Sequence, residues 1–217
     1  MESVVIGVLA LQGAFVEHVS IYGGLHVKTK LVRLPEHLDD IDGLLLPGGE
    51  STAISLLARR WGLIEPIRAW INSGKPIWGT CAGMILLANK LTGKMKEGQE
   101  IFGGLDATVY RNYFGSQLGS FSAELESTLE GHDHTKYKAV FIRAPAIVQH
   151  GPSLEILATV RPKRTSKEAE SEAELHDAIV AARQNNILVT SFHPELTHDT
   201  CWHEYFLHMV FAATTSQ

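Results

Sequence analysis

The sequence predicts an α/β protein of three layers, a mostly parallel sheet flanked by helices. Three observations predict it. Short apolar runs of strand length alternate with stretches of helical spacing along the whole chain. Several of these runs are apolar enough to be buried strands, the pattern of a sheet covered by helices. Three glycine- or proline-marked motifs then follow such runs directly, at the strand ends where open α/β sheets bind ligands. With 217 residues, 45% of them hydrophobic, the chain has room for one sizeable core. No internal repeat or composition break divides it, so residues 1–217 are expected to form a single domain.

In chain order, Val4 to Ala10 is the first strand candidate, and Leu11-Gln12-Gly13 follows it without the G-x-G-x-x-G fingerprint of dinucleotide binding. Val27 to Val32 and Ile41 to Leu46 are the next two. The third runs into Pro47-Gly48-Gly49-Glu50-Ser51-Thr52, whose glycines let backbone N–H groups approach a ligand closely, as an oxyanion hole requires. A phosphate cradle would need lysine where the acidic Glu50 stands. Helical spacing covers Thr52 to Arg60 and Leu63 to Asn72. Pro76 to Trp78 is a further strand, which turns through Gly79-Thr80-Cys81-Ala82-Gly83 into a helix from Ala82 to Lys90. Val140 to Ile142 and Ile187 to Phe192 are the last strand candidates. The latter ends in His193-Pro194-Glu195, ahead of a helix from Thr200 to Ala212. There Trp202, Phe206, Met209, Val210 and Ala213 keep the spacing of a core-packed face.

Cys81 stands where a nucleophile elbow would place its nucleophile. A side chain lifted off a sharp strand-to-helix turn needs strained backbone and close packing at its flanks, which glycine tolerates. The helix that begins there aims its free N–H groups at the sulfur and favours the reactive thiolate. A small cysteine at such a junction can equally be a packing residue. His193 and Glu195 change the balance, since a base and a group to orient it are what a cysteine nucleophile lacks. The proline between them restricts the backbone, so both side chains can project to one end of the sheet.

Composition excludes several classes. The formal net charge is −5, with no basic stripe, so nucleic acid is not an expected partner. No stretch has the length and apolarity of a membrane span, and the N-terminus lacks a signal-peptide pattern, so a soluble cytoplasmic protein is expected. Cys81 and Cys201 provide no disulfide framework, and Cys201 is expected to be inert. Among the eleven histidines, neither His132 with His134 nor His198, His203 and His208 follows a metal-ligand spacing, so no metal is expected. On residues alone, His18 is as consistent with a surface or capping role as with a functional one. The stretch from Arg161 to Glu174, basic first and acidic after, is expected to be a solvated loop or short helix.

The order Pro-Gly-Gly-Glu-Ser, Gly-Thr-Cys-Ala-Gly and Phe-His-Pro-Glu resembles the class I (triad) glutamine amidotransferases. Further segments resemble one branch of them, the glutaminase subunits of pyridoxal 5′-phosphate synthases. These are Gly7 to Phe15 with Glu17-His18, Arg111 to Gln117, Phe141 to Pro145, and Ser191 to Leu196. The resemblance implies a flavodoxin-like class I glutaminase domain without a cofactor. It would hydrolyse L-glutamine to L-glutamate and ammonia through a cysteine thioester and pass the ammonia to a synthase subunit in a hetero-oligomeric complex. It also implies site residues: Cys81 as nucleophile, His193 as base and acid, Glu195 as orienting carboxylate, and the backbone of Gly49 and Ala82 as oxyanion hole. Gln12, Gly49, Glu50, Ser51, Arg111, Ile142 and Arg143 would hold glutamine. Glu50, Arg111 and Arg143 carry charges suited to its α-amino and α-carboxylate groups.

Overall fold

A computed structural model describes residues 4–93, 98–115, 120–126, 129, 136–161 and 177–215. His132, His134, Ser116, Gln117 and the charged stretch beyond Arg161 lie outside the described residues. The first half of the chain builds β1 (Val5–Leu9), α1 (Phe15–Gly24), β2 (Lys28–Val32), β3 (Gly43–Leu46), α2 (Ser51–Arg60), α3 (Ile64–Asn72), β4 (Ile77–Thr80) and α4 (Ala82–Leu87). The second half adds β5 (Ala88–Thr92), β6 (Leu105–Tyr110), β7 (Ser120–Glu126), β8 (Lys136–Ile142), β9 (Ala146–His150), β10 (Glu155–Val160), β11 (Ala178–Gln184), β12 (Ile187–Thr190) and α5 (Cys201–Thr215). Short 3₁₀ turns occupy Pro35–Leu38 and Pro194–Leu196.

Among the described residues the main sheet has ten strands, ordered β2-β1-β3-β4-β12-β11-β9-β6-β5, with β10 beside β11. From β2 to β12 every pairing is parallel. β3, β4 and β12 are buried at every position, as strands covered on both faces must be. Tyr22 of α1 and Trp202 and Phe206 of α5 pack on one face with Val8, Leu45, Trp78 and Leu188. Ile54 of α2, Ile67 of α3 and Leu86 of α4 pack on the other with Leu44, Leu46, Ile77 and Val189. This is the expected three-layer α/β architecture. Among the described residues, no helix is long and apolar enough to cross a membrane.

Three features depart from the sequence expectation. α1 was not expected, although Phe15, Val19 and Tyr22 share a helical face. The helix expected from Ala82 to Lys90 stops at Leu87. Ala88 turns extended (φ −62°, ψ 146°), and the next residues pair in parallel with β6. Beyond β12 the sheet turns mainly antiparallel, through β11, β9 and β6, and a separate β7–β8 hairpin stacks Phe121 on Phe141.

The join between β3, β4 and α4 allows only glycine at two points. A Cβ on Gly79 would stand 2.5 Å from the backbone carbon of Gly83, and one on Gly83 would stand 2.3 Å from the carbonyl oxygen of Leu46. Both obstacles are backbone and cannot swing away. Gly83→Ala is therefore expected to lower unfolding free energy by about 3 kcal/mol. Urea unfolding should show a lower midpoint at unchanged slope.

Candidate active site

The elbow follows from this packing. Cys81 has φ 46° and ψ −98°, a left-handed conformation that a non-glycine residue adopts only when its surroundings impose it. Two contacts impose it. The Cys81 N–H donates to the carbonyl of Thr190 in β12 (2.7 Å), and the Cys81 carbonyl accepts from Ile85 in the first turn of α4. The thiol is thereby raised over the carboxyl ends of β4 and β12, with Sγ 4.0 Å from the carbonyl oxygen of Ile142. Ala82 begins α4, so its N–H has no acceptor within the helix.

His193 reaches the same place from β12. Its N–H donates to the Val140 carbonyl of β8 (2.8 Å), tying the strand end to the β7–β8 hairpin. Its Nδ1 lies 2.7 Å from Glu195 Oε1, and Glu195 sits on the 3₁₀ turn with its side chain fully buried. Burial alone would lower the His193 pKa. Hydrogen bonds and charge from Cys81 and Glu195 outweigh burial and push it up to about 10. A ring so placed keeps its proton at neutral pH beside the sulfur, ready to give it to a leaving group.

The loop after β3 meets the loop after β1. Gly13, at φ 101°, would carry a Cβ 1.9 Å from the Gly48 carbonyl oxygen, so only glycine permits the approach. Ala14 N–H donates to that carbonyl (3.0 Å), and Glu50 N–H donates to Gln12 Oε1 (2.8 Å). The peptide is trans and planar, so the Gly49 N–H points away from the side on which Ala14 holds the Gly48 carbonyl. Gly48 itself touches the reactive groups, for a Cβ there would stand 2.6 Å from His193 Cε1 and 3.4 Å from Cys81 Cβ.

These elements enclose a cavity of ≈ 410 Å³ lined by Gln12, Gly49, Glu50, Ser51, Cys81, Arg111, Ile142, Arg143 and His193, with Ile85 and Asn112. Every residue expected to hold glutamine therefore lines one space. Glu50 has a second task there, because its carboxylate caps α2 by accepting from Thr52 N–H (3.3 Å) and Ala53 N–H (2.9 Å). Arg111 Nη2 donates to Ser51 Oγ (3.3 Å) and lies 3.8 Å from Glu50 Oε1. Arg143, at φ 45°, stands exposed at the rim. Sequence reasoning missed Ile85, four residues beyond the nucleophile position and so on its side of α4, and Asn112 beside Arg111.

It also left His18 open between surface, cap and function. His18 is instead wholly buried on α1, behind Glu195. Cys201 is buried away from the cavity, and burial pushes its thiol pKa well up, as expected of an inert thiol. A sulfur nucleophile, a protonated imidazole backed by a carboxylate and backbone N–H groups nearby can together carry out acyl transfer through a thioester.

Residues 8–212 match the SNO glutamine amidotransferase family. A probable pyridoxal 5′-phosphate synthase subunit PDX2 of Arabidopsis thaliana is 44% identical, covering 94% of this chain and 85% of its own. The pyridoxal 5′-phosphate synthase subunit PdxT of Herpetosiphon aurantiacus is 48% identical, covering 93% and 98%. A crystal structure of a glutamine amidotransferase superposes with a TM-score of 0.80 at 40% identity, covering 95% of this chain and 98% of that one.

Proposed function

The chain belongs to the SNO glutamine amidotransferase family, and from that premise we propose that it hydrolyses L-glutamine to L-glutamate and ammonia and delivers the ammonia to the synthase subunit of a pyridoxal 5′-phosphate synthase. Residues 1–217 act as one glutaminase domain, in the cytoplasm. The observation that carries this reading is the meeting of Cys81 and His193, the latter paired with the buried Glu195, in one cavity with Arg111 and Arg143.

Cys81 attacks the side-chain amide carbon of glutamine as thiolate. The N–H groups of Gly49 and Ala82 receive the oxyanion, each such donor being worth about 3 kcal/mol of barrier. His193, held by Glu195, gives its proton to the amide nitrogen, so that ammonia leaves and the acyl group stays on sulfur as a thioester. A water then gives its proton to His193 and its hydroxide to the thioester carbon, which releases glutamate and restores the thiolate. Gln12, Glu50, Ser51, Ile142 and the two arginines hold the amino-acid end, remote from the reacting carbon. Ammonia set free in water would be protonated and lost as a nucleophile, which is the chemical reason for a complex with the synthase.

The test is glutamate release by the chain alone and with a pyridoxal 5′-phosphate synthase subunit, with Cys81→Ala as the blank. Release that depends on Cys81, rises with the synthase and needs the free α-amino and α-carboxylate of glutamine is expected. Absence of release under both conditions would overturn the proposal.

A further inference from the structure

Behind Glu195, on the side away from the cavity, lies a line of buried groups that the mechanism above does not use. His18 Nε2 stands 3.4 Å from Glu195 Oε2, with both side chains at 0% exposure. His18 Nδ1 lies 2.9 Å from Nε2 of His203, which α5 brings in from 185 residues along the chain. Trp78, Tyr22 and Phe206 close this space, with Trp78 edge-on to both imidazoles and Tyr22 edge-on to His203. Among the described residues, neither His18 Nε2 nor Glu195 Oε2 has a hydrogen-bonding partner.

The proton inventory of this line has one good solution. Burial, with His203 and His193 nearby, lowers the His18 pKa, and burial lowers that of His203 to about 3, so both rings are neutral. A neutral imidazole carries one N–H and one lone pair. A carboxylate oxygen only accepts, so a proton on His18 Nε2 satisfies Glu195 Oε2. His18 Nδ1 must then accept, and His203 Nε2–H supplies that bond. The opposite assignment sets a lone pair of His18 against the Glu195 oxygen and leaves two acceptors facing each other in a wholly buried site, the costly arrangement.

We propose that His18 is a positioning residue for the glutaminase triad, donating its Nε2–H to Glu195 Oε2 in a tautomer that His203 holds. The inference rests on the reading of Cys81, His193 and Glu195 given above. A glutamate on a three-residue 3₁₀ turn can rotate its carboxylate about its last side-chain bond. With Oε2 held from behind by α1, Oε1 stays in line with His193 Nδ1 while the ring accepts and returns its proton. The relay thus has four side chains after the sulfur: His193, Glu195, His18 and His203.

Two amides at position 18 separate positioning from filling. His18→Gln can place an N–H where Nε2 stood, facing Glu195, whereas His18→Asn places its amide at the level of Nδ1, facing His203. With synthase present, His18→Gln should keep kcat within about threefold, while His18→Asn should lose about tenfold in kcat at unchanged KM for glutamine. Equal losses in the two variants, or no loss in His18→Asn, would overturn the proposal. In the unaltered chain, imidazole ¹⁵N shifts at neutral pH should report protonated Nε2 and bare Nδ1 on both His18 and His203. A proton on His18 Nδ1 would overturn it whether or not either variant folds. Cys81→Ala keeps the two readings apart. If it still turns over glutamine, the triad itself falls; if it is inactive while His18→Asn matches the parent, only the role of His18 falls.

Discussion

Cys81→Ala is expected to reduce glutamate release to the buffer blank, a loss on the order of 10⁵- to 10⁶-fold in kcat, and Glu195→Gln is expected to lose about 10⁴-fold. The two losses have different causes. Without sulfur there is no thioester, and the remaining site offers only oriented water. In Glu195→Gln the sulfur and His193 remain, but the orienting group now has one carbonyl and one N–H face. His18 Nε2–H, where Oε2 now lies, claims the carbonyl and leaves the amide N–H facing His193 Nδ1. Nδ1 must then accept, which forces the proton to Nε2 and removes the base from the side of Cys81. The raised pKa of His193 also loses one of its supports, since Glu195 is among the groups that push it to about 10. The imidazolium should then titrate at lower pH, and the alkaline limb of kcat/KM should move down with it. Because the residues act as a unit, the double variant should be no slower than Cys81→Ala. Initial rates with synthase, with circular dichroism to verify the fold, check each statement.

The parts of this site that were legible in the sequence are those whose physics is local. β3, β4 and β12 are wholly buried and, apart from the threonines that end β4 and β12, apolar, and the motifs that follow them need glycine or proline within a few residues. Gly83 shows why: its missing Cβ lets α4 lie on the Leu46 carbonyl. The antiparallel half was less legible. Strands such as β5 and β10 mix buried and exposed positions without a strict alternation, so neither reads as a wholly apolar run. α1 hid for another reason, since its buried face includes a histidine among the apolar residues and the helix ends in Gly23-Gly24. The link from His18 to His203 has no local signature at all. It exists only because α1 and α5 cover the same face of the sheet.

Gly48→Ala is expected to lose about 10²- to 10³-fold in kcat while the chain stays folded. Gly48 is buried against His193 and Cys81, and its φ is outside the left-handed region, so the backbone there tolerates alanine. The difficulty is the added methyl, 2.6 Å from His193 Cε1 and 3.0 Å from Nδ1, well inside van der Waals contact. The nearest atoms belong to a side chain, which can yield by turning. A turn of the ring separates Nδ1 from Glu195 Oε1 and lifts Nε2 from the sulfur. A displacement of about 1 Å is enough for a loss of this size. The same movement removes the hydrogen bond and charge from Cys81 that help to raise the His193 pKa, and takes the imidazolium from beside the sulfur. Iodoacetamide should therefore alkylate Cys81 more slowly at neutral pH in Gly48→Ala than in the parent chain. A Gly48→Ala protein with parental kcat and parental alkylation rate would show that His193 does not need its place beside Gly48, and the geometry assigned to the base would be wrong.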